Sequence, residues 1–293
     1  MRWTATALAV LLCAACGGTP PSSAPSSAPS SSSSSASAAP STSLTPGPAV
    51  APVDGIEAEA VQLRTDAAVG GQVQVRVTDT GAEPFTVTSV AIDSPGFAPL
   101  PDLPVTAAYA PGQTIDLPTP FGEVVCDRAA EPAAARLTVV RPDGAGEVLR
   151  VPLAAADLTE IHADTCAARA ALAVAGVAVT GLAVDGEAAT GSLVLTRTGD
   201  DDRAVTVTRL EGNVLYGAAA DLPRTLEEGG ASLRVPVEFT MARCDAHALA
   251  EVKQPYRFLL GVRVGEDAEV PVDLPLEQAQ RDVLFALVDA ACR

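Results

Sequence analysis

Alternation of apolar and polar side chains dominates the chain from residue 54 onward. In VQVRVTD (73–79) the valines take every second position, and in SLVLTRT (192–198) Leu193 and Leu195 do the same. That period of two marks a strand with one face in a core and the other in water. Short runs of this kind, rich in Val, Thr and Leu, are separated by turn signals such as DTG, SPG, PGQ, PDG, GDDD, EEGG and VGED. Two segments break the alternation with helical spacing. One starts at Asp157, where Asp157 and Glu160 have the form of a capping box ahead of Ile161 and Cys166; the other is PLEQAQRDVLFALVDAAC, with Leu276, Val283, Leu287 and Ala291 on one stripe.

The pattern repeats. GGQVQVRVTDTGAEPFTVTSVAI (70–92) aligns with TGSLVLTRTGDDDRAVTVTRLEG (190–212), and DLP at 102–104 with DLP at 221–223. PGQTIDLPTPFGEVVCD (111–127) then aligns with EGGASLRVPVEFTMARCD (228–245), which sets Phe121 opposite Phe239 and Cys126 opposite Cys244. Each copy closes with two more strands around a glycine turn and then the helical segment. Such internal similarity is the mark of a tandem duplication. About six or seven strands in roughly 115 residues is the scale of an immunoglobulin-like sandwich. The expected fold is therefore mainly all-β, with two tandem immunoglobulin-like β-sandwich repeats, 54–168 and 169–293, each ending in a short helix.

Duplication also orders the cysteines. Each copy has one cysteine after a strand and one on the helical segment: Cys126 and Cys166, then Cys244 and Cys292. Four cysteines allow three pairings. The repeat selects Cys126 with Cys166 and Cys244 with Cys292, bridges that need an oxidising compartment.

The first residues, MRWTATALAVLLCAACGG, place Arg2 before an apolar run and two alanines before Cys16. This resembles a bacterial lipoprotein signal. The resemblance implies that 1–15 is a signal peptide and that Cys16 is lipidated as the first mature residue, since Leu11 and Leu12 are too bulky for cleavage ahead of Cys13. Lipid chains contribute about 0.8 kcal/mol per buried CH₂, enough to hold the chain on the membrane without a spanning helix. After Cys16 the residues to 53 are almost entirely Gly, Ser, Pro, Ala and Thr, a composition that cannot offset ordering entropy, so 16–53 reads as the lipidated cysteine and a disordered tether with a reach of about 35 Å. As a whole the chain resembles the secreted lipoproteins of actinobacteria. That implies a place on the extracytoplasmic face of the cell membrane and brings no activity with it.

A formal net charge of -17 argues against nucleic acid as a partner and against a polybasic hold on anionic lipid. The candidate chemistry is sparse. Cys244, Asp245 and His247 lie within four positions in a chain with two histidines, and with a free thiolate they have the donors of a zinc or copper site. The first copy has Arg128 and Ala129 in the matching place, and a disulfide at Cys244 removes the thiolate. Asp245 and His247 are therefore expected to be a capping aspartate and a loop histidine, with partner binding or a metal-binding or hydrolytic site as the alternative. His162 is expected in a surface or helix-end role. Ser89, Ser94, Ser192 and Ser232 include none in a G-x-S-x-G elbow. Asp200, Asp201 and Asp202 read as a solvated hairpin turn without calcium-loop spacing, and Glu227 and Glu228 likewise. The functional expectation is a non-catalytic envelope module, without cofactor or metal, that contacts a protein, a wall polymer or a ligand.

Overall fold

The computed structural model of this 293-residue chain describes residues 49–292. The proposed signal, Cys16 and nearly all of the tether lie outside the described residues. In chain order the elements are β1 (Ile56–Val61), α1 (Arg64–Val69), β2 (Gln72–Asp79), β3 (Phe85–Asp93), β4 (Leu103–Tyr109), β5 (Thr114–Pro120), β6 (Ala134–Val140), β7 (Gly146–Ala154) and α2 (Ala156–Val174). There follow β8 (Ala175–Asp185), β9 (Ala188–Arg197), β10 (Val205–Glu211), β11 (Tyr216–Ala220), β12 (Arg224–Leu226), β13 (Ser232–Met241), α3 (Ala246–Glu251), β14 (Leu259–Val264), β15 (Val270–Asp273) and α4 (Gln278–Ala291). The protein is mostly β, in several sheets.

In the first half β1, β2 and β5 pair antiparallel, as do β4, β3, β6 and β7. A short parallel contact, Ala58 to Leu153 and Glu59 to Ala154, joins the two sets into one seven-stranded order. The second half uses the same pairing: β8, β9 and β13 stand as β1, β2 and β5 do, and β12, β10, β14 and β15 as β4, β3, β6 and β7 do. There the two sets remain separate four-stranded sheets, the first widened by β11.

The alternation read from sequence decides which faces are buried. Val73, Val75 and Val77 on β2 and Leu193 and Leu195 on β9 are fully buried. They belong to two apolar clusters, one in each half. Tyr216 lies in the second cluster and donates its hydroxyl to the Leu284 carbonyl at 2.9 Å, which ties α4 to the sheet; burial pushes the phenol up to about 12.

The helix α2 departs from the sequence reading in two ways. Its N-cap is Ala155, two residues before Asp157, so Asp157 lies in the first turn and makes no capping box. Its carboxylate instead accepts the Gln62 backbone N–H at 2.6 Å, a bond across the chain that no local pattern encodes. The helix also runs unbroken past 168/169 to Val174 and enters β8 without a linker. Leu158 packs in the first cluster, whereas Ala171 and Val174 pack in the second, so both cores hold the one helix.

Disulfides join Cys126 to Cys166 and Cys244 to Cys292, with Cα–Cα separations of 5.5 and 5.3 Å. Each ties the chain just after a strand to a terminal helix of its half. Two such bridges fit an oxidising, extracytoplasmic setting. Among the described residues, no helix is long and apolar enough to cross a membrane.

Candidate functional site

Cys244, Asp245 and His247 are close in sequence, but the fold gives them separate tasks. The sulfur of Cys244 is bonded to Cys292. Asp245 is the N-cap of α3: its Oδ1 accepts the Ala248 backbone N–H at 2.9 Å, and its Oδ2 accepts from Arg243 Nε at 2.9 Å. His247 lies exposed in the first turn of α3. Among the described residues, no group of three or more His, Cys, Asp or Glu side chains converges as a metal site would require.

The cap has a pH consequence. The Ala248 N–H, and after it Arg243, hold the Asp245 carboxyl below its ordinary range. A folded-state value below the unfolded one means that the cap stabilises α3 above the ordinary carboxylate range and is lost as pH falls through the lowered value. Amide exchange at Ala248 and Leu249, corrected for its intrinsic pH dependence, is expected to quicken over that fall in the wild type. In Asp245→Ala it is expected to be fast throughout. Equal protection in both proteins would remove the capping role.

His162 is not at the surface. It is buried in α2, with Nε2 3.2 Å from the Val125 carbonyl oxygen and its ring edge-on to Phe97 at 5.8 Å. Cys166, one turn on, sits beside it in the disulfide. The sequence reading missed this because the segment it packs on, 94–99, has no periodicity of its own. His162 and His247 thus occupy different surroundings, one in the first core and one exposed on α3.

The acidic run lies in the loop from β9 to β10. Asp201 receives two guanidinium nitrogens of Arg203, which also reaches Asp267, and Arg197 donates to the Asp201 and Arg203 carbonyls. The central charge of the run, Asp201, is thus met by arginine within the turn. Glu227 contributes its carbonyl to Gly230 and Arg197 in the neighbouring turn.

A cleft of about 310 Å³ in the first half collects what the sequence reading left scattered. Its floor is Ile92, Pro95, Phe97, Pro99 and Pro132, and its polar wall is Asp93, Ser94, Arg128, Arg136 and Arg150. The loop after β3 forms one side. Gly96 allows it to lie against the next loop, since a Cβ there would stand 2.6 Å from Ala130 Cα and 2.9 Å from His162 Cδ2. Ser94 Oγ locks the same contact by donating to the Ala130 carbonyl at 2.5 Å.

The arginines come from three places. Arg128 follows the Cys126 bridge, Arg136 lies on β6 and Arg150 on β7. Arg136 and Arg150 are direct cross-strand partners, a juxtaposition of like charges that weakens a sheet. Asp102 engages Arg136 at 2.6 Å and Asp93 engages Arg150 at 2.7 Å, each from one edge. Among the described residues nothing pairs with the guanidinium of Arg128, which is exposed. One signal in the sequence could have found this pair: folding ARLTVVRPDGAGEVLRVPL about its PDG turn sets Arg136 opposite Arg150.

No family model and no curated protein matches the chain. Among solved structures it is similar to a transglutaminase of red sea bream at 12% identity and a TM-score of 0.23, over 77% of this chain and 32% of that one. It is also similar to a protein of unknown function from Porphyromonas gingivalis at 13% identity and a TM-score of 0.18, over 76% of this chain and 100% of that one. The chain thus spans about a third of the transglutaminase, 32% of its length, and likenesses this weak carry no argument.

Proposed function

We propose that the protein is a lipoprotein anchored through Cys16 to the extracytoplasmic face of the cell membrane, and that its folded part is a non-catalytic binding module of the cell envelope. Its partner is an envelope protein, a wall polymer or a ligand. The folded part is read as two tandem immunoglobulin-like β-sandwich repeats, on the strength of the matching strand pairing and the matching bridges of the two halves. The arginine-lined cleft carries the binding reading. In a chain with a formal net charge of -17, three guanidiniums around an apolar floor are a departure from the general surface, and departures of this kind mark sites.

The site around Asp245 and His247 is set aside as a second reading, because the bridge uses the Cys244 sulfur, the cap uses Asp245 Oδ1 and Arg243 holds Oδ2. The test is made in intact cells. Full-length protein is expected in the membrane fraction and the Cys16→Ser chain outside it, and proximity labelling from the wild type is expected to recover envelope neighbours. Identical fractionation of the two chains would remove the anchor; labelling at background would remove the binding module.

A further inference from the structure

We infer that the cleft between β3, β6 and β7 binds a small ligand that carries an oxyanion, a carboxylate or a phosphate, on a compact apolar stem. This rests on the binding-module reading and specifies its ligand.

The strand registers of the two halves make the case. Val90 pairs Leu137 in the first half as Leu210 pairs Leu260 in the second. One step along, the row Ala91, Arg136, Arg150 therefore corresponds to Glu211, Leu259, Asp273. The same three positions carry two positive charges in one half and two negative charges in the other. The acidic row is in keeping with the chain as a whole. The basic row opposes it and places like charges on facing positions, at a cost to the sheet.

Folding does not call for the basic row, since the equivalent strands pair without it. A ligand does. Guanidinium edges left over after Asp93 engages Arg150, and Asp102 and the Leu100 carbonyl engage Arg136, match the two-oxygen face of a carboxylate or phosphate. Arg128 supplies a third donor set from the loop. Beside these groups Phe97 and Ile92, with relative exposures of 5% and 7%, and the three prolines offer a dry wall for an apolar body. A volume of about 310 Å³ suits a single ring rather than a polymer strand.

The experiment is a set of thermal melts of the full chain with phenyl phosphate, benzoate or, as a cationic control, benzylamine, at constant ionic strength. One or both anions are expected to raise the melting temperature, benzylamine not, because a ligand that binds only the folded state stabilises it. Arg128→Gln is expected to melt as the wild type does without ligand and to need about tenfold more anion for the same rise. Arg263→Gln, which removes an exposed arginine of β14, is expected to respond as the wild type. Three results would overturn the inference: no rise with either anion, an equal rise with benzylamine, or equal responses from Arg128→Gln and the wild type. The broader reading fails separately. Envelope neighbours recovered without anion binding would leave the module and remove this ligand; anion binding by a chain absent from the membrane would do the reverse.

Discussion

Replacing Cys126 and Cys166 together by serine is expected to cost the protein about 4 kcal/mol in the chain-entropy picture, for a bridge that spans 40 residues. A typical domain has about 5–15 kcal/mol in total, so the change brings the first half close to its unfolding threshold. The loss has a functional side. Arg128, Arg136 and Arg150 all lie between the two bridged cysteines, and Arg128 is two residues from one of them. Removing the tie lets the 126–132 segment leave α2 and opens the cleft before the strands separate. The check is a urea midpoint for wild type and variant, each with and without reductant: the two should differ when oxidised and coincide when reduced, since reductant also opens the Cys244–Cys292 bridge in both. A variant within about 1 kcal/mol of the oxidised wild type would show that the bridge constrains nothing that the core does not already hold. The bridge between Cys244 and Cys292, spanning 48 residues, should behave alike in the second half.

Phe239→Ala is expected to cost about 3–5 kcal/mol, the range for emptying a fully buried phenyl site. Phe239 is fully buried in β13, facing Ala189 on one neighbouring strand and Ala218 on the other. Its ring stands edge-on to Phe258 at 4.9 Å, and Phe258 in turn touches Tyr216. With alanines on both flanks there is little side chain to collapse into the space. The chain has only six phenylalanines, and the second core is built around two of them. Phe285, 62% exposed on α4, is the control: Phe285→Ala should move stability by no more than about 0.5 kcal/mol. Similar midpoints for the two variants would mean that the second core is centred elsewhere.

These two effects show which features the sequence made legible. Alternation placed β2 and β9 and their buried faces, because a period of two is a local property of the chain. The duplication placed the bridges, because two cysteines with matching neighbours in each copy reduce three pairings to one. Asp245 as a cap was legible for the same reason, being set by the three residues that follow it. The misses all depend on distant partners. Asp157 looks like a cap until the Gln62 N–H is brought to it, and His162 looks like a surface residue until segment 94–99 covers it. The joint helix α2 could not be read from composition, since Ala170 to Val174 suit either an end or a continuation. The cleft arginines are separated in sequence, at 128, 136 and 150, and converge only in the fold. Arg128 stands on a loop with no period of its own, and Arg136 meets Arg150 only through the register of β6 with β7.

The most direct measurement is an NMR titration of the full chain with phenyl phosphate, following the Nε–H resonances of its arginines. Shifts confined to Arg128, Arg136 and Arg150, saturating together, are the expected result. Shifts spread over Arg209, Arg257 and Arg263 to the same extent, or none at the three cleft arginines, would contradict the cleft as the binding site of this protein.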